Sequence, residues 1–260
     1  MIDLHTHILP KADDGPDDLA EAVEIAKESE RQGVKKIIAT PHYVEGEYQF
    51  GPDEIKKRVV ALQEELARAG VELEVLVGSE VYLTADLGKK VRDGLVTPLN
   101  GSRYLLVEFP MRKLPSFVDE VLYDLQVLGF TPVIAHPERY HDVMEDPNLL
   151  YRWVKDGALA QLNAGSLLGK FGSRVQETAE ILVEHDLVQL LGSDLHSNGY
   201  RCQCLQGGMA KLCELIGVSR AERYQANAEL VVADEEVVVE PKRYEKEQGF
   251  WGRLKKAVYG

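Results

Sequence analysis

The chain has 260 residues, 45% of them hydrophobic, which is enough to bury one core of α/β-barrel size. Its formal net charge of -13 argues against nucleic acid as the main partner, because the phosphate backbone would be repelled. We expect a cytoplasmic protein, since the three cysteines do not suggest a disulfide framework, no signal peptide precedes the first strand, and no apolar run approaches the roughly 20 residues that span a bilayer.

Strand-like apolar runs alternate with helical patterns along most of the chain. The predicted helices cover residues 17–32, 52–69, 85–93, 116–128, 147–156, 175–185 and 205–216. Several are followed by the glycine expected at a left-handed helix end, namely Gly33, Gly70, Gly94, Gly129 and Gly157. The short connections favour parallel β-α-β units, of which about seven fit between residues 1 and 217.

Candidate metal ligands follow the predicted strands in chain order. His5 and His7 end the first apolar run, and side chains two apart on a strand share a face. A similar pair, Asp194 and His196, follows the run 187–191. Single candidates follow the strands between them: His42, Glu80, Glu108 and His136. Asp13 and Asp14 lie in the first loop, where a turn or helix-capping role is the alternative to ligation.

Ligands at the ends of nearly every strand predict a closed or distorted barrel. In α/β barrels the site is built at the carboxyl ends of the strands. An open doubly wound sheet would gather its ligands at one switch point, and no glycine-rich phosphate loop is present. The predicted fold is therefore α/β, a distorted TIM-like (β/α)7 barrel.

Histidine and carboxylate ligands without cysteine suit Mn²⁺, Fe²⁺ or Zn²⁺ better than Ca²⁺ or a structural zinc finger. These candidates are too many for one ion, so we predict two or three ions that share a bridging carboxylate. Such clusters activate water and hold a phosphoryl group during in-line displacement. A lone histidine is more often structural, and we assign that role to His141 and His185.

Residues 241–260 differ from the rest of the chain. They contain six Lys or Arg and two Glu, a net charge of +4, interleaved with Phe250, Trp251 and Tyr259. This composition predicts a basic amphipathic tail that contacts an anionic membrane surface or an acidic partner. The alternative is a solvated chain end that packs Trp251 on the barrel.

Several stretches resemble the PHP (polymerase and histidinol phosphatase) superfamily, and within it the bacterial manganese-dependent tyrosine-protein phosphatases of capsule and exopolysaccharide operons, the CpsB/YwqE type. They are MIDLHTHILPKADDGPDD, IIATPHYVEGEY, VLVGSEVY, YLLVEFP, PVIAHPERY, LNAGSL and LGSDLHS. The resemblance runs from Met1 to about residue 232. It implies one PHP-type barrel over residues 1–240, followed by the tail 241–260.

The resemblance also implies which ions the candidates hold. One ion would be bound by His5, His7, Glu80 and Asp194, a second by Glu80, Glu108 and His136, and a third by Asp14, His42 and His196. Mn²⁺ is the expected metal, with Fe²⁺, Zn²⁺ or Co²⁺ as alternatives. Arg139 and Arg201 match positions at which the family binds the substrate phosphate. Cys202 and Cys204 depart from the family pattern near Arg201.

The implied activity is hydrolysis of phosphotyrosine, on the tyrosine-rich tail of a bacterial tyrosine kinase that regulates capsule synthesis. Two alternatives remain at this stage: a histidinol-phosphate or other small-molecule phosphomonoesterase of the same superfamily, and a non-catalytic protein stabilised by metals. A cysteine-dependent phosphatase is not favoured, because Cys213 and Arg220 are separated by one residue too many for a Cys-x5-Arg loop.

Overall fold

The computed structural model describes residues 1–197, 199 and 201–245 of the chain. Strands and helices alternate over this part. The strands are β1 (Ile2–Thr6), β2 (Lys36–Ala39), β3 (His42–Tyr43), β4 (Glu74–Val77), β5 (Glu80–Tyr82), β6 (Tyr104–Glu108), β7 (Thr131–Ala135), β8 (Leu159–Asn163) and β9 (Leu190–Gly192). The helices are α1 (Leu19–Arg31), α2 (Pro52–Arg68), α3 (Leu87–Arg92), α4 (Val118–Val127), α5 (His141–Glu145), α6 (Asn148–Lys155), α7 (Ala164–Leu167), α8 (Ser173–Glu184), α9 (Leu205–Ile216) and α10 (Val218–Val232).

Every pair of adjacent strands is parallel, as the short helix–strand connections predict. A three-stranded sheet has the order β1-β2-β4, and a six-stranded sheet has the order β3-β5-β6-β7-β8-β9. The segment after β9 pairs with the end of β1, because the amide of Asp194 donates to the carbonyl of His5 and the amide of His7 donates to the carbonyl of Leu195, both at 2.9 Å. The structure is thus a mixed α/β fold with parallel sheets.

Two strands of the three-stranded sheet are each followed after two residues by a short strand of the six-stranded sheet, β2 by β3 and β4 by β5. Between β4 and β5 a Cβ on Gly78 would lie 2.7 Å from the Ile38 side chain, so only glycine fits there without a shift. In β1 the register with β2 shifts between Asp3 and Thr6. Irregularities of this kind redirect side chains, and the stretch that contains this one includes His5.

Both faces of the sheets are buried, and the strand residues alternate between two apolar clusters. In β6, Tyr104 and Leu106 belong to the smaller cluster, whereas Leu105 and Val107 belong to the larger one with the helices. The smaller cluster also contains Val237 from the segment after α10. Apolar side chains on both faces are typical of parallel sheets covered by helices.

Among the helices of the described residues, α5, α7 and α10 were not predicted from the sequence. Helix α10 is the longest of them, and its buried positions include the small residues Ala221 and Ala228, which give a weak apolar stripe. Within the described ranges, no helix is both long and apolar enough to cross a bilayer.

Candidate metal centre

The predicted ligands converge at the carboxyl ends of the strands. Eight of the nine predicted ligands lie in a strand near its end or within four residues after a strand. The ninth, Asp14, lies in the loop between β1 and α1. The residues are His5, His7, Asp14, His42, Glu80, Glu108, His136, Asp194 and His196. Most are buried, so these polar groups have been removed from water together.

The carboxylate of Glu80 is surrounded by imidazoles. Its Oε2 lies 3.2 Å from His5 Nε2, 3.3 Å from His7 Nε2 and 3.1 Å from His42 Nδ1. Its Oε1 lies 2.9 Å from His136 Nε2. A carboxylate with four histidine rings around its two oxygens is suited to bridge two cations.

Asp194 faces the same imidazoles from the opposite end of the chain. Its Oδ1 lies 3.6 Å from His5 Nε2 and 3.5 Å from both His7 Nε2 and His196 Nδ1. The Nε2 atoms of His5 and His7 are 3.2 Å apart. Each of these two nitrogens therefore lies within 3.6 Å of a carboxylate oxygen of Glu80 and of one of Asp194.

Three overlapping groups in the described residues have ligand atoms that all lie within 4.8 Å of one another. They are His5, His7 and Glu80; His42, Glu80 and Glu108; and His7, Asp14, His42 and His196. The first matches the first implied ligand set without Asp194, and the third matches the third implied set with His7 added. The second contains His42 where the sequence implies His136, whose Nε2 lies 3.7 Å from Glu108 Oε1.

The two adjacent aspartates of the first loop have different surroundings. The side chain of Asp13 is buried, and its carboxylate accepts hydrogen bonds from His7 Nδ1 at 2.6 Å and from the amide of His42 at 2.9 Å. Asp14 is half exposed and lies 3.0 Å from His196 Nε2 and 3.6 Å from His42 Nε2. Asp13 thus orients a ligand ring, while Asp14 faces the ligand cluster.

Several polar atoms in the cluster lack a hydrogen-bonding partner. Buried atoms without one include His42 Nδ1, Glu80 Oε2, His136 Nδ1 and His196 Nε2. Some lie near a carboxylate, but without the geometry of a hydrogen bond. Buried polar groups are rarely left unpaired, and histidine with carboxylate is a donor set for Mn²⁺, Fe²⁺ or Zn²⁺. The residues present therefore fit a site for divalent cations.

The electrostatics of the cluster favour positive charge. Burial opposes protonation of His5, but Glu80 and Asp194 outweigh it and raise the pKa of His5 to about 9. Burial likewise opposes protonation of His42, and Glu80 with Glu108 raises its pKa to about 10. Burial opposes ionisation of Asp194 and Glu80 as well, but positive charge on His5 outweighs it and lowers the pKa of both carboxyl groups, with help from Arg201 at Asp194 and from His136 at Glu80. A metal ion that displaces these protons would bind with strong pH dependence.

The pKa values of Glu108, His136 and His196 shift in the opposite direction, towards the neutral form of each group. Burial, and then the charge of Glu80, raises the pKa of Glu108 to about 7. Burial, and then Arg139, lowers the pKa of His136 to about 4, and burial with His7 lowers that of His196 to about 4. Neutral imidazole is the form that binds a metal, so these two rings need lose no proton.

Two candidate ligands adopt left-handed backbone conformations. His136 has φ 33° and Asp194 has φ 52°. Residues other than glycine seldom adopt this region, and such strain is concentrated at functional sites. His136 directly follows β7, and Asp194 lies two residues after β9. The left-handed conformation turns the chain at each of these points.

Both predicted phosphate-binding arginines contact the cluster through Asp194. Arg139 Nη1 donates to Asp194 Oδ2 at 3.0 Å, and Arg201 Nη2 donates to Asp194 Oδ1 at 2.8 Å. Arg201 Nη1 also lies 3.3 Å from Asp14 Oδ2. The two guanidinium groups are partly exposed, so they border the cluster on the side open to solvent.

Residues that the sequence analysis missed support the ligands. Gln161 Oε1 lies 2.7 Å from His5 Nδ1, and Asn163 Nδ2 donates to Asp194 Oδ2 at 2.7 Å. Glu138 is buried and accepts hydrogen bonds from the amide of Asn163 and from Ser166 Oγ. The only sequence signal was their place in the PVIAHPERY and LNAGSL stretches or beside them.

The remaining histidines and cysteines lie outside the cluster. His141 is exposed, and His185 Nδ1 bonds to the carbonyl of Ile181. The three cysteines are free. Cys213 lies within α9, and Arg220 lies in α10 paired with Asp186. No cysteine nucleophile loop is formed by these two residues.

Comparisons with known proteins identify the family of this chain. The family profile described as "Capsular polysaccharide synthesis, CpsB/CapC" matches residues 1–232. The tyrosine-protein phosphatase YwqE of Bacillus subtilis is 35% identical over 252 residues, covering 97% of this chain and 99% of that protein. The tyrosine-protein phosphatase CpsB of Streptococcus agalactiae is 31% identical over 228 residues, covering 86% and 94%.

A solved structure is also similar. It comes from work on YwqE of Bacillus subtilis and CpsB of Streptococcus pneumoniae, described as unique metal-dependent tyrosine phosphatases. The TM-score is 0.92 at 35% identity, and the match covers 95% of this chain and all of the other. The similarity therefore includes the whole fold that carries the ligand cluster.

Proposed function

The chain belongs to the CpsB/CapC family of capsular polysaccharide synthesis proteins, and on this basis we propose that it is a metal-dependent protein-tyrosine phosphatase. The observation that carries the proposal is the convergence of histidines and carboxylates on Glu80 and Asp194, with two arginines at the solvent side. A phosphate monoester dianion needs that combination of charges.

The proposed metal ligands are the nine residues named from the sequence, with Asp14 rather than Asp13 in the set. The contacts of Asp13 with His7 and His42 support a positioning role for it. Mn²⁺ is the proposed metal, in two or three sites, because oxygen and imidazole donors suit it. Bound there, such ions would supply Lewis acidity and positive charge for the attack of water on phosphorus.

The protein's own residues would bind and orient the phosphate. Arg139 and Arg201 each hold a planar guanidinium that can donate two hydrogen bonds to one phosphate. Both now donate to Asp194, which keeps the two groups on the same side of the cluster. The leaving tyrosinate has a reference pKa of about 10, so it departs more easily than a serine alkoxide.

We also propose that the strands close into a distorted (β/α)7 barrel of the PHP type within a domain of residues 1–240. The pairing of the β1 and β9 ends supports closure, as does the direct succession of β2 by β3 and β4 by β5. Residues 241–245 bind this body, because Lys242 Nζ lies 2.6 Å from Asp186 and Tyr244 exchanges backbone hydrogen bonds with the Asn148 side chain.

The test of the function is the initial rate on a tyrosine-phosphorylated peptide with added Mn²⁺. Asn tolerates the left-handed conformation at residue 136, so we would compare His136→Asn and Arg139→Ala with the wild type. The exposed residues His141 and Arg103 provide matched controls as His141→Asn and Arg103→Ala. We expect turnover to be lost only in the first two variants.

The alternatives give different results in the same assay. Faster turnover of histidinol phosphate than of the peptide would favour a small-molecule phosphomonoesterase. Bound metal without turnover of any phosphoester would favour a non-catalytic protein. Either result would contradict the tyrosine phosphatase proposal.

The proposed substrate is a phosphotyrosine protein, the tyrosine-rich tail of a bacterial tyrosine kinase in capsule or exopolysaccharide synthesis. We propose that the tail 241–260 keeps the enzyme near that kinase at the inner face of the plasma membrane. Residues 246–260 of the tail lie outside the described residues, so its sequence charge alone supports this step.

Truncation after Glu245 tests the tail while keeping the contacts of Lys242 and Tyr244. We expect lower activity on the membrane-bound phosphorylated kinase and unchanged activity on a small aryl phosphate. Equal losses on both substrates, or no loss on either, would contradict the tail's role.

A further inference from the structure

The loop between α7 and α8 brings an aromatic ring to one of the two arginines. The guanidinium carbon of Arg139 lies 4.8 Å from the centre of the Phe171 ring. Arg139 is held at two further points, because its amide donates to the carbonyl of His136 and its Nη1 donates to Asp194 Oδ2. The arginine side chain is therefore in contact with both the ligand cluster and the Phe171 ring.

The local sequence explains why a ring can lie there. Phe171 stands between Gly169 and Gly172, whose φ values of 72° and 97° form the tight turn after α7. A Cβ on Gly165 would lie 3.1 Å from Phe171 Cε2, so the absence of a side chain at residue 165 makes room for the ring. The turn is closed by the amide of Lys170, which donates to the carbonyl of Gly165 at 3.0 Å.

We propose that Phe171 is a positioning residue for phosphate binding, acting through Arg139. An arginine side chain has many rotamers, and a planar group must be held in one orientation to donate two hydrogen bonds to phosphate. When a substrate phosphate draws Arg139 Nη1 away from Asp194, the ring of Phe171 still limits the plane of the guanidinium. This proposal rests on the proposed phosphatase function.

The contact has the features of a cation–π interaction. Arginine over an aromatic face within about 6 Å of the ring centre is stabilised by the negative face of the ring. For partly exposed groups the interaction corresponds to about a two- to five-fold change in an equilibrium constant. Because the ring acts by its face, tyrosine can replace phenylalanine, whereas leucine of similar volume cannot.

The experiment compares Phe171→Leu and Phe171→Tyr in the wild-type and Arg139→Ala backgrounds, with Leu168→Ala as a control on the same turn. Two quantities are measured on the Mn²⁺-loaded full chain. One is kcat/KM for a phosphotyrosine peptide, and the other is the Kd of inorganic phosphate by calorimetry. Melting temperatures report whether each variant folds.

We expect Phe171→Leu to lower kcat/KM and weaken phosphate binding by about two- to five-fold, mainly through KM. Phe171→Tyr should match the wild type, and Leu168→Ala should change neither quantity. In the Arg139→Ala background, where turnover is expected to be lost, the phosphate Kd is the readout, and the Leu substitution should not change that Kd further, because the residue through which it acts is gone.

Three results would overturn the proposal. The first is that Phe171→Leu weakens phosphate binding equally with and without Arg139. The second is that Phe171→Leu and Phe171→Tyr lower kcat/KM equally. The third is that Phe171→Leu changes neither kcat/KM nor the phosphate Kd. If the wild type turned over no phosphotyrosine peptide, the proposed function would fail. The phosphate Kd would still decide the role of Phe171 separately.

Discussion

The two ends of the parallel strands are built from different chemistry. At the carboxyl ends, His136 and Asp194 adopt left-handed conformations, and buried atoms such as Glu80 Oε2 have no hydrogen-bonding partner. At the amino ends, the hydroxyl of Tyr104 donates to the carbonyl of Glu235 at 2.6 Å and accepts from the amide of Val237 at 3.2 Å. At the carboxyl ends buried polar atoms lack partners, whereas at the amino end of β6 the Tyr104 hydroxyl both donates and accepts a hydrogen bond.

This difference shows how one fold separates function from stability. In α/β barrels the carboxyl ends carry the chemistry and the amino ends contribute to stability. A cluster of histidines and carboxylates is costly to bury without a cation, so the rest of the fold must offset that cost. The comparison predicts that substitutions at the two ends will affect different measurements.

The largest effect is expected for Glu80→Gln at the carboxyl end. The amide keeps the shape of the side chain but removes the negative charge that faces four imidazoles. Loss of a residue that only supports a metal ligand lowers activity by up to about a hundred-fold, so loss of a ligand itself should lower it by more. Metal content, turnover and the rise of the melting temperature with Mn²⁺ measure the effect. The exposed pair Glu74–Lys36 provides the control Glu74→Gln. Unchanged metal content would contradict this assignment.

A smaller effect is expected for Gln161→Leu, which removes the partner of His5 Nδ1. Loss of a residue that orients a metal-binding histidine costs about ten- to a hundred-fold in metal affinity. The matched control is Gln189→Leu, because Gln189 is also buried but bonds to the amide of Ala160 near the amino ends. Metal titration should separate the two, and equal affinities in both variants would weaken the comparison.

At the amino end, Tyr104→Phe should destabilise the protein without affecting the reaction. The change leaves the carbonyl of Glu235 and the amide of Val237 without the hydroxyl, which should lower the free energy of unfolding by about 1–3 kcal/mol. Denaturant titration measures this loss, and turnover with Mn²⁺ should stay at the wild-type value. A loss of activity in a variant that remains folded would show that the two ends are coupled.

The smallest effect concerns Asp186, before β9. Burial opposes its ionisation, but Lys242 and Arg220 outweigh burial and lower its pKa. A lowered carboxyl pKa stabilises the fold above the unfolded value near 3.8, and this stabilisation is lost as the pH falls through the folded pKa. Asparagine tolerates the left-handed backbone of residue 186. Asp186→Asn should therefore lower the free energy of unfolding by up to about 1 kcal/mol at pH 7, through loss of the ion pairs alone. The difference in melting temperature should narrow below pH 4, and a constant difference would contradict the ion-pair explanation.

Much of the fold could be predicted because its signals are local. The glycines that follow the predicted helices, such as Gly33 and Gly129, have the expected positive φ. The predicted helix 205–216 matches α9, and the others agree within a few residues. The short strands β3 and β5, of two and three residues, were not predicted, because so few residues have no periodic pattern of their own.

The candidate site was predictable in its charged residues and not in its neutral ones. A histidine or glutamate at the end of an apolar run is conspicuous, because burial of such a group is costly. Gln161 within β8 gives no such signal, since a neutral amide can pair with any backbone group. The different surroundings of Asp13 and Asp14 also depend on where His7 and His196 lie in three dimensions.

The left-handed backbone at Asp194 has a practical consequence for identifying the protein's substrate. Asparagine tolerates this conformation nearly as well as aspartate, so Asp194→Asn removes a charge without forcing the chain to rearrange. The same change weakens the acceptor of Arg139 and Arg201, which leaves both guanidinium groups available to a phosphate. Asp194→Asn is therefore the variant to choose as a substrate trap, for recovering phosphotyrosine proteins that the intact enzyme would release.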